Sequence, residues 1–319
     1  MNHNPVLKVD QLNLISRRRG RRRRLLTEIG FDLQRGQILA IIGESGSGKS
    51  LLCRSLVAEP PPGMHLEGWV KIWSETQAFD LLQLTPARLR QVRRDTIGFL
   101  FQATAPALNP VLTCGLQFRH LVGRDQHDDH FLDERLKQVG FADSNQIRRL
   151  FPFMLSGGMA QRFGMALALV RQPRLLIADE PFAHLDHDSR CWLRETIHQI
   201  RATTAMGVLI VLHDLDDVRS MADQVVVMYA GMMVERGDRQ MILTRPEHPY
   251  TAMLTEIDYR LRDQRRLSCL PVGPPKTVLP ETGCPFAPRC QHVAAICRTV
   301  LPPLRLTDSG RWIRCHTSH

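Results

Sequence analysis

The chain has 319 residues, more than one ordinary domain of roughly 100 to 200 residues and a fair length for a large α/β domain with an appendage. Hydrophobic residues make up 43% and charged residues 23%, which excludes the depleted-apolar composition of a disordered chain. Its net charge of +10 is local rather than spread, because seven arginines fall between positions 17 and 24.

No stretch approaches the ~20 consecutive apolar residues that a membrane-spanning helix needs. The start MNHNPVLKVD also lacks the basic-then-apolar layout of a signal peptide, so the expectation is a cytosolic chain reaching any membrane through a partner.

In chain order, residues 7–15 alternate apolar and polar as a half-buried strand does, then run into the arginine cluster. Residues 29–33 resume a strand pattern, Arg35-Gly36-Gln37 reads as a turn, and residues 38–42 form a short apolar strand. That strand ends at GESGSGKS, and residues 51–57 continue as a helix. Residues 60–95 mix a proline-rich loop, short strands and a basic helix, and residues 113–170 carry helical spacing.

Buried strands follow at 175–178, 208–212 and 224–229, with helices between them. Buried strands alternating with helices predict an α/β fold around a mostly parallel sheet covered on both faces. A short helix is predicted after Pro246, a linker near 262–282, and a small C-terminal module beyond it. The expected division is 1–261 and 262–319.

Gly43-Glu44-Ser45-Gly46-Ser47-Gly48-Lys49-Ser50, followed by Leu51, stands where a phosphate loop must stand, after an apolar strand and opening a helix. Glycines let the backbone turn its N–H groups around a β-phosphate, and the helix N-terminus adds partial positive charge. Lys49 is then the candidate for the β- and γ-phosphates of ATP and Ser50 for Mg²⁺. Residues 174–180, RLLIADE, form a buried strand ending in two carboxylates: Asp179 for Mg²⁺ and Glu180 to polarise the attacking water.

Between these segments stands Leu155-Ser156-Gly157-Gly158-Met159-Ala160-Gln161-Arg162, at the start of a helical pattern. It resembles the signature motif of the ABC ATPases, an α/β cassette with a helical subdomain, and Ser156, Gly157, Gly158 and Gln161 are by that resemblance contacts to ATP on an opposing cassette. Phe101-Gln102 resembles the Q-loop, whose glutamine contacts Mg²⁺ and the attacking water. Leu185-Asp186 resembles the D-loop at the dimer seam, and Val211-Leu212-His213-Asp214 the switch region with His213 on the γ-phosphate. The resemblance covers roughly residues 5 to 260 and implies a working ATPase in which two cassettes sandwich two ATP molecules.

One departure stands out: near Leu14 the family's adenine-stacking aromatic is missing and the arginines take its place. They read as a solvated hairpin tip, as a base-stacking guanidinium, or as a contact for nucleic acid or lipid headgroups.

The C-terminal part resembles the extension of dipeptide, oligopeptide and nickel importer ATPases. Its elements are His248-Pro249-Tyr250-Thr251, the stretch GCPFAPRC at 283–290, Cys297 and Cys315-His316. The resemblance implies that Cys284, Cys290, Cys297 and Cys315, spaced C-x5-C-x6-C-x17-C, hold a [4Fe–4S] cluster, with Zn²⁺ or free thiols as alternatives. Cys53, Cys114, Cys191 and Cys269 read as small buried hydrophobes.

The family further implies two transmembrane permeases, a second ABC ATPase subunit, an extracytoplasmic substrate-binding protein reached through the permeases, and a peripheral place on the cytoplasmic face of the bacterial inner membrane. No direct nucleic-acid binding is expected, and residues 102–111 are candidates for the permease contact. Dipeptides, longer peptides, nickel and metal chelates remain open as cargo. Two rivals are a soluble ABC ATPase acting on nucleic acid or ribosomes, supported only by the arginines, and a redox-sensing regulator built on the cysteines.

Overall fold

The computed structural model of the chain describes residues 5–18, 21–75, 77–122, 129–183, 185–262 and 282–317. Two sheets organise it. The first is antiparallel: β1 (Pro5–Arg18) lies between β2 (Arg21–Gln34) and β4 (Met64–Trp73), and β5 (Ala78–Asp80) closes the edge.

A bulge interrupts β1, where Gln11 has φ 49° and the register to β4 shifts between Asp10 and Asn13. Gly68 sits opposite, and a Cβ there would lie 2.3 Å from the Gln11 carbonyl oxygen, so only glycine lets the strands close over the bulge.

The second sheet has a parallel centre in the order β9-β3-β8-β7-β6, made of β3 (Ile38–Ile42), β6 (Ile97–Leu100), β7 (Leu175–Ala178), β8 (Gly207–Val211) and β9 (Gln224–Tyr229). Every residue of β3, β7 and β8 is buried, which is why these segments read as unbroken apolar runs rather than alternations. The side-chain period of two then sorts each strand between two cores. Leu39, Ile41, Leu209 and Val211 join the antiparallel sheet and α1 (Lys49–Leu56), while Ile38, Ala40, Ile42, Val208 and Ile210 face the helical layer.

That layer holds α4 (Cys114–Val122), α5 (Asp129–Gln138), α6 (Ser144–Arg149) and α7 (Gly157–Leu169), in the stretch where helical spacing was expected. The basic helix is α2 (Pro86–Thr96), started by Pro86 at its first position and by Thr85, whose hydroxyl accepts from the Arg88 N–H. The other helices are α3 (Thr104–Ala107), α8 (His187–Thr204), α9 (Leu215–Met221), α10 (Arg239–Thr244) and α11 (Pro249–Arg262). No helix among the described residues is long and apolar enough to cross a membrane.

The C-terminal segment continues the main sheet instead of standing apart from it. β10 (Met232–Asp238) runs antiparallel to β9, β12 (Trp312–Ile313) pairs with β10, and β11 (Arg305–Leu306) pairs with β12. Two buried arginines fasten it: Arg311 meets Glu235 and Glu247, and Arg314 meets Glu28. The proposed linker and Cys269 lie outside the described residues.

Candidate nucleotide site

The site gathers at the C-terminal ends of β3, β7 and β8, where loops leave a parallel sheet and ligands are bound. At the end of β3, Gly43 has φ 150°, and a Cβ there would lie 2.2 Å from the Met228 carbonyl oxygen. Gly48 caps α1 from the left-handed region at φ 100° without a side-chain acceptor, which leaves the first N–H groups of α1 to a ligand. Between them Ser45 and Gly46 are exposed and Ser47 is buried, tied by its carbonyl to the Gly231 N–H at 2.8 Å. Leu51 packs partly buried against the inter-sheet core and anchors the start of α1.

Lys49 is 4% exposed, and its ammonium donates to the carbonyl oxygens of Gly43 at 2.8 Å and Glu44 at 3.0 Å. Burial pulls its pKa below the ordinary lysine value, opposed by the carboxylates of Glu180 and Asp179. An ammonium whose hydrogen bonds go to neutral carbonyls at the mouth of the loop is ready to exchange them for phosphate oxygens.

Ser50 donates its hydroxyl proton to Asp179 at 3.2 Å, joining the two expected Mg²⁺ ligands. Burial raises the Asp179 pKa and the Glu180 charge adds to it, while the Ser50 hydrogen bond and Lys49 work the other way. A hydroxyl and a carboxylate paired at the end of a sheet are an oxygen donor set that suits Mg²⁺.

Glu180 follows at φ 47°, a left-handed conformation uncommon for a residue with a side chain and typical of strained functional positions. Its carboxylate accepts from Gln102 Nε2 at 2.7 Å and touches His213 Nε2. The structure thus brings together Gln102, Glu180 and His213, which lie on three separate loops.

Two expected site residues belong to the neighbouring face. Asp186 caps α8 by accepting from the Ser189 N–H at 2.8 Å, and those hydrogen bonds hold its carboxyl below the usual value. Ser156 caps α7 by accepting from the Met159 N–H at 3.2 Å, and both Ser156 and Gly157 are exposed. A Cβ on Gly158 would lie 3.0 Å from Ser189 Oγ, so the signature and the D-loop share one surface. Gln161 lies beneath that surface. It is 6% exposed, accepts from Thr104 Oγ1 at 2.6 Å and donates to the Pro181 carbonyl at 3.0 Å, so within the chain it ties the Q-loop to the turn after Glu180.

The arginine cluster lies at the tip of the β1–β2 hairpin, with Arg17, Arg22, Arg23 and Arg24 exposed and Arg22 paired to Glu67 at 2.8 Å. Leu14 and Ile15 are fully buried, so neither of these two side chains stands in for the missing aromatic.

Cys284, Cys290, Cys297 and Cys315 line one cavity of about 10 Å³, together with His248 and His316. None of the four is in a disulfide, and burial pushes the Cys284 thiol up to about 11 and raises that of Cys290. The donor set is chemically that of a thiolate metal site. Among the described residues, no group of three or more His, Cys, Asp or Glu is arranged to hold a metal ion. Of the cysteines read as buried hydrophobes, Cys53 and Cys114 are buried, whereas Cys191 is only partly so, with its sulfur 3.6 Å from His187.

Sequence reasoning missed two residues at the nucleotide site, Tyr250 and Arg289, which both reach Glu44. Nothing in their spacing signals it, since more than 200 positions separate them from the loop.

A family model described as ABC transporter matches residues 26–183, and one described as the C-terminal region of oligopeptide/dipeptide transporters matches residues 234–297. The chain is 34% identical over 317 residues to the dipeptide transport ATP-binding protein DppD of Bacillus subtilis, covering 97% of this chain and 94% of that one. It is 35% identical over 320 residues to a putative peptide import ATP-binding protein of Brucella abortus, covering 98% and 94%. Among solved structures, a dimeric bacterial ABC transporter cassette superposes with TM-score 0.64 at 23% identity, over 73% of this chain and 98% of that one. A cassette of a transporter complex from Clostridium perfringens superposes with TM-score 0.62 at 23% identity, over 82% and 97%. With the phosphate loop, the paired carboxylates and the joined Gln102–Glu180–His213 set in place, this chain belongs to the ABC transporter ATP-binding proteins of the oligopeptide/dipeptide branch and is an ATPase.

Proposed function

We propose that the chain energises a bacterial importer of peptides, hydrolysing ATP on the cytoplasmic face of the inner membrane while permease subunits carry the cargo. The observation that carries the chemistry is Glu180 held between Gln102 and His213, one residue beyond the Asp179–Ser50 pair. Lys49 and the loop N–H groups bind the triphosphate, and Ser50, Asp179 and Gln102 would hold Mg²⁺, which would supply neutralisation of phosphate charge. Glu180 orients and polarises the attacking water, with His213 and Gln102 fixing its carboxylate.

Dimerisation through the signature face is supported by the exposure of Ser156 and Gly157 beside Asp186. An opposing cassette would meet ATP there through the N-terminus of α7. The proposed partner is a second, different ATPase subunit.

Permease contact is proposed at a groove of about 550 Å³ between β6 and the helical layer, lined by Phe101, Thr104, Leu108, Leu112 and Leu121. Phe101 is 50% exposed and nearby Val111 76%, so the groove and its rim present apolar surface suited to a short amphipathic helix. Peptide cargo is supported by the names of the relatives. A substrate-binding protein would deliver it to the permeases.

The cysteine cavity is proposed to take up an iron–sulfur cluster, with Zn²⁺ as the alternative. Four free thiols converging there support this. Iron, sulfide and zinc content of anaerobically purified protein tests it, with Cys290→Ser expected to lose the metal.

The function is tested by purifying a tagged copy from its own membranes in mild detergent. Two multi-span permeases and a second ATPase are the expected companions, and uptake assays on that complex separate peptide from nickel cargo. Recovery with ribosomes and no membrane protein would overturn the transport reading.

A further inference from the structure

Glu44, the second residue of the phosphate loop, is held from three directions. Its N–H donates to Tyr250 Oη at 2.8 Å. Its carboxylate accepts both prongs of the Arg289 guanidinium, at 2.8 Å each. Its carbonyl accepts from the Lys49 ammonium at 3.0 Å, so the residue that rests the phosphate-binding lysine is itself positioned by two groups from the C-terminal part of the chain.

Those two groups have little freedom. Tyr250 is fully buried on α11, its ring 4.6 Å from that of Tyr229 and 5.5 Å from that of Phe286. Arg289 closes the turn Ala287–Arg289, between Cys284 and Cys290, and its side chain is 15% exposed. The guanidinium lies 5.9 Å from the centre of the Tyr229 ring and 5.8 Å from that of Phe286. A two-pronged guanidinium–carboxylate pair fixes both distance and orientation, which a single point charge does not.

We propose that Arg289 is a positioning residue for ATP binding: acting through Glu44, it fixes the carbonyl against which Lys49 rests, and the C-terminal extension thereby sets the nucleotide affinity of the phosphate loop. The proposal rests on ATP binding and hydrolysis, whatever the cargo. Loss of the fork frees the Glu44 backbone to reorient, so the first turn of the loop must be ordered by the nucleotide itself, which lowers affinity. Gln102, Glu180 and His213 are untouched by the fork, so turnover at saturating ATP is conserved.

The test uses the full-length chain and its variants Arg289→Met, Arg289→Lys, Glu44→Ala and the double variant Arg289→Met/Glu44→Ala. ATP Kd by equilibrium titration, and KM with kcat at steady state, are compared alongside thermal midpoints. Each of Arg289→Met and Glu44→Ala is expected to raise Kd and KM about tenfold, as loss of a charge-assisted pair allows, and in Arg289→Met kcat should stay within about twofold. The double variant should be no worse than either single one, because all three lose the same contact. Arg289→Lys, a charge without the fork, should recover part of the affinity.

Multiplying effects in the double variant, or an unchanged Kd in Arg289→Met with a lowered melting point, would make Arg289 a mere fastening of the tail and overturn the proposal. Should Arg289→Met fail to fold, the comparison of Arg289→Lys, Glu44→Ala and their combination decides by the same rule.

Discussion

At the residue scale, activity depends on single groups whose environments the fold makes unlike. Asp179 and Glu180 are adjacent, yet the first faces Ser50 and the second Gln102 and His213. Glu180→Gln preserves shape and hydrogen bonding while removing the charge that polarises water. It is therefore expected to keep ATP affinity within about threefold and to lower kcat by about a hundredfold or more, read by single-turnover hydrolysis. Gly43 gives a steric counterpart. Gly43→Ala forces a methyl against the Met228 carbonyl oxygen, and overpacking of this kind costs about 1 to 3 kcal/mol. The expected signs are a lowered thermal midpoint and weakened ATP binding, against which wild-type affinity would count.

At the scale of elements, buried polar groups tie segments that packing alone would leave loose. Gln161 connects α7 to the Q-loop through Thr104 and to the turn after Glu180 through Pro181. Gln161→Leu removes the donor to the Pro181 carbonyl and leaves the Thr104 hydroxyl the Phe101 carbonyl at 3.3 Å, a loss of about 1 to 3 kcal/mol, and is expected to lower urea stability and ATP turnover together.

His248 does similar work at the start of α11, its neutral Nδ1 accepting from the Tyr250 N–H at 3.0 Å. Full burial pushes its pKa down to about 3 from an unfolded value of 6.5. The unfolded chain therefore binds a proton that the folded chain refuses, so stability contributed by the neutral ring is complete above pH 6.5 and is lost as pH falls towards 3. Melting temperature should drop between about pH 6.5 and 5 in the wild type, before most carboxylates titrate. His248→Gln should melt lower but with a flatter profile over that window. Equal slopes would remove His248 as the source.

At the scale of the whole molecule, one face of the cassette is complete and another is left open. The sheet edge beyond β10 is covered by β12, fastened by Arg311 and Arg314. The surface carrying Ser156, Gly157 and Asp186 has no such cover among the described residues. ATP should close two cassettes across it, and Ser156→Arg, in a Glu180→Gln background, is expected to abolish the ATP-dependent dimer seen by light scattering while the monomer stays folded. An undiminished dimer would place the seam elsewhere.

Much of this was legible along the chain because its causes are local. Strands β3, β7, β8 and β9 are runs of apolar residues, and an apolar run bounded by turns has few other ways to be buried. The phosphate loop and the RLLIADE strand announce themselves because phosphate binding needs glycine and lysine at fixed spacing along a few consecutive residues. Helical spacing marked the layer holding α4 to α7 for the same reason.

Tertiary structure alone decided the rest. That Gln161 turns inward follows from a Thr104 placed 57 positions away, and that the C-terminal strands join the main sheet depends on β10 having a free edge. Four cysteines spread along the C-terminal part converge on one cavity, a meeting that their spacing alone does not fix. The grip of Arg289 and Tyr250 on Glu44 is a contact between distant segments, with no period or motif to betray it. Residue order encodes what neighbours along the chain must do; which distant groups meet is settled only when both cores are packed.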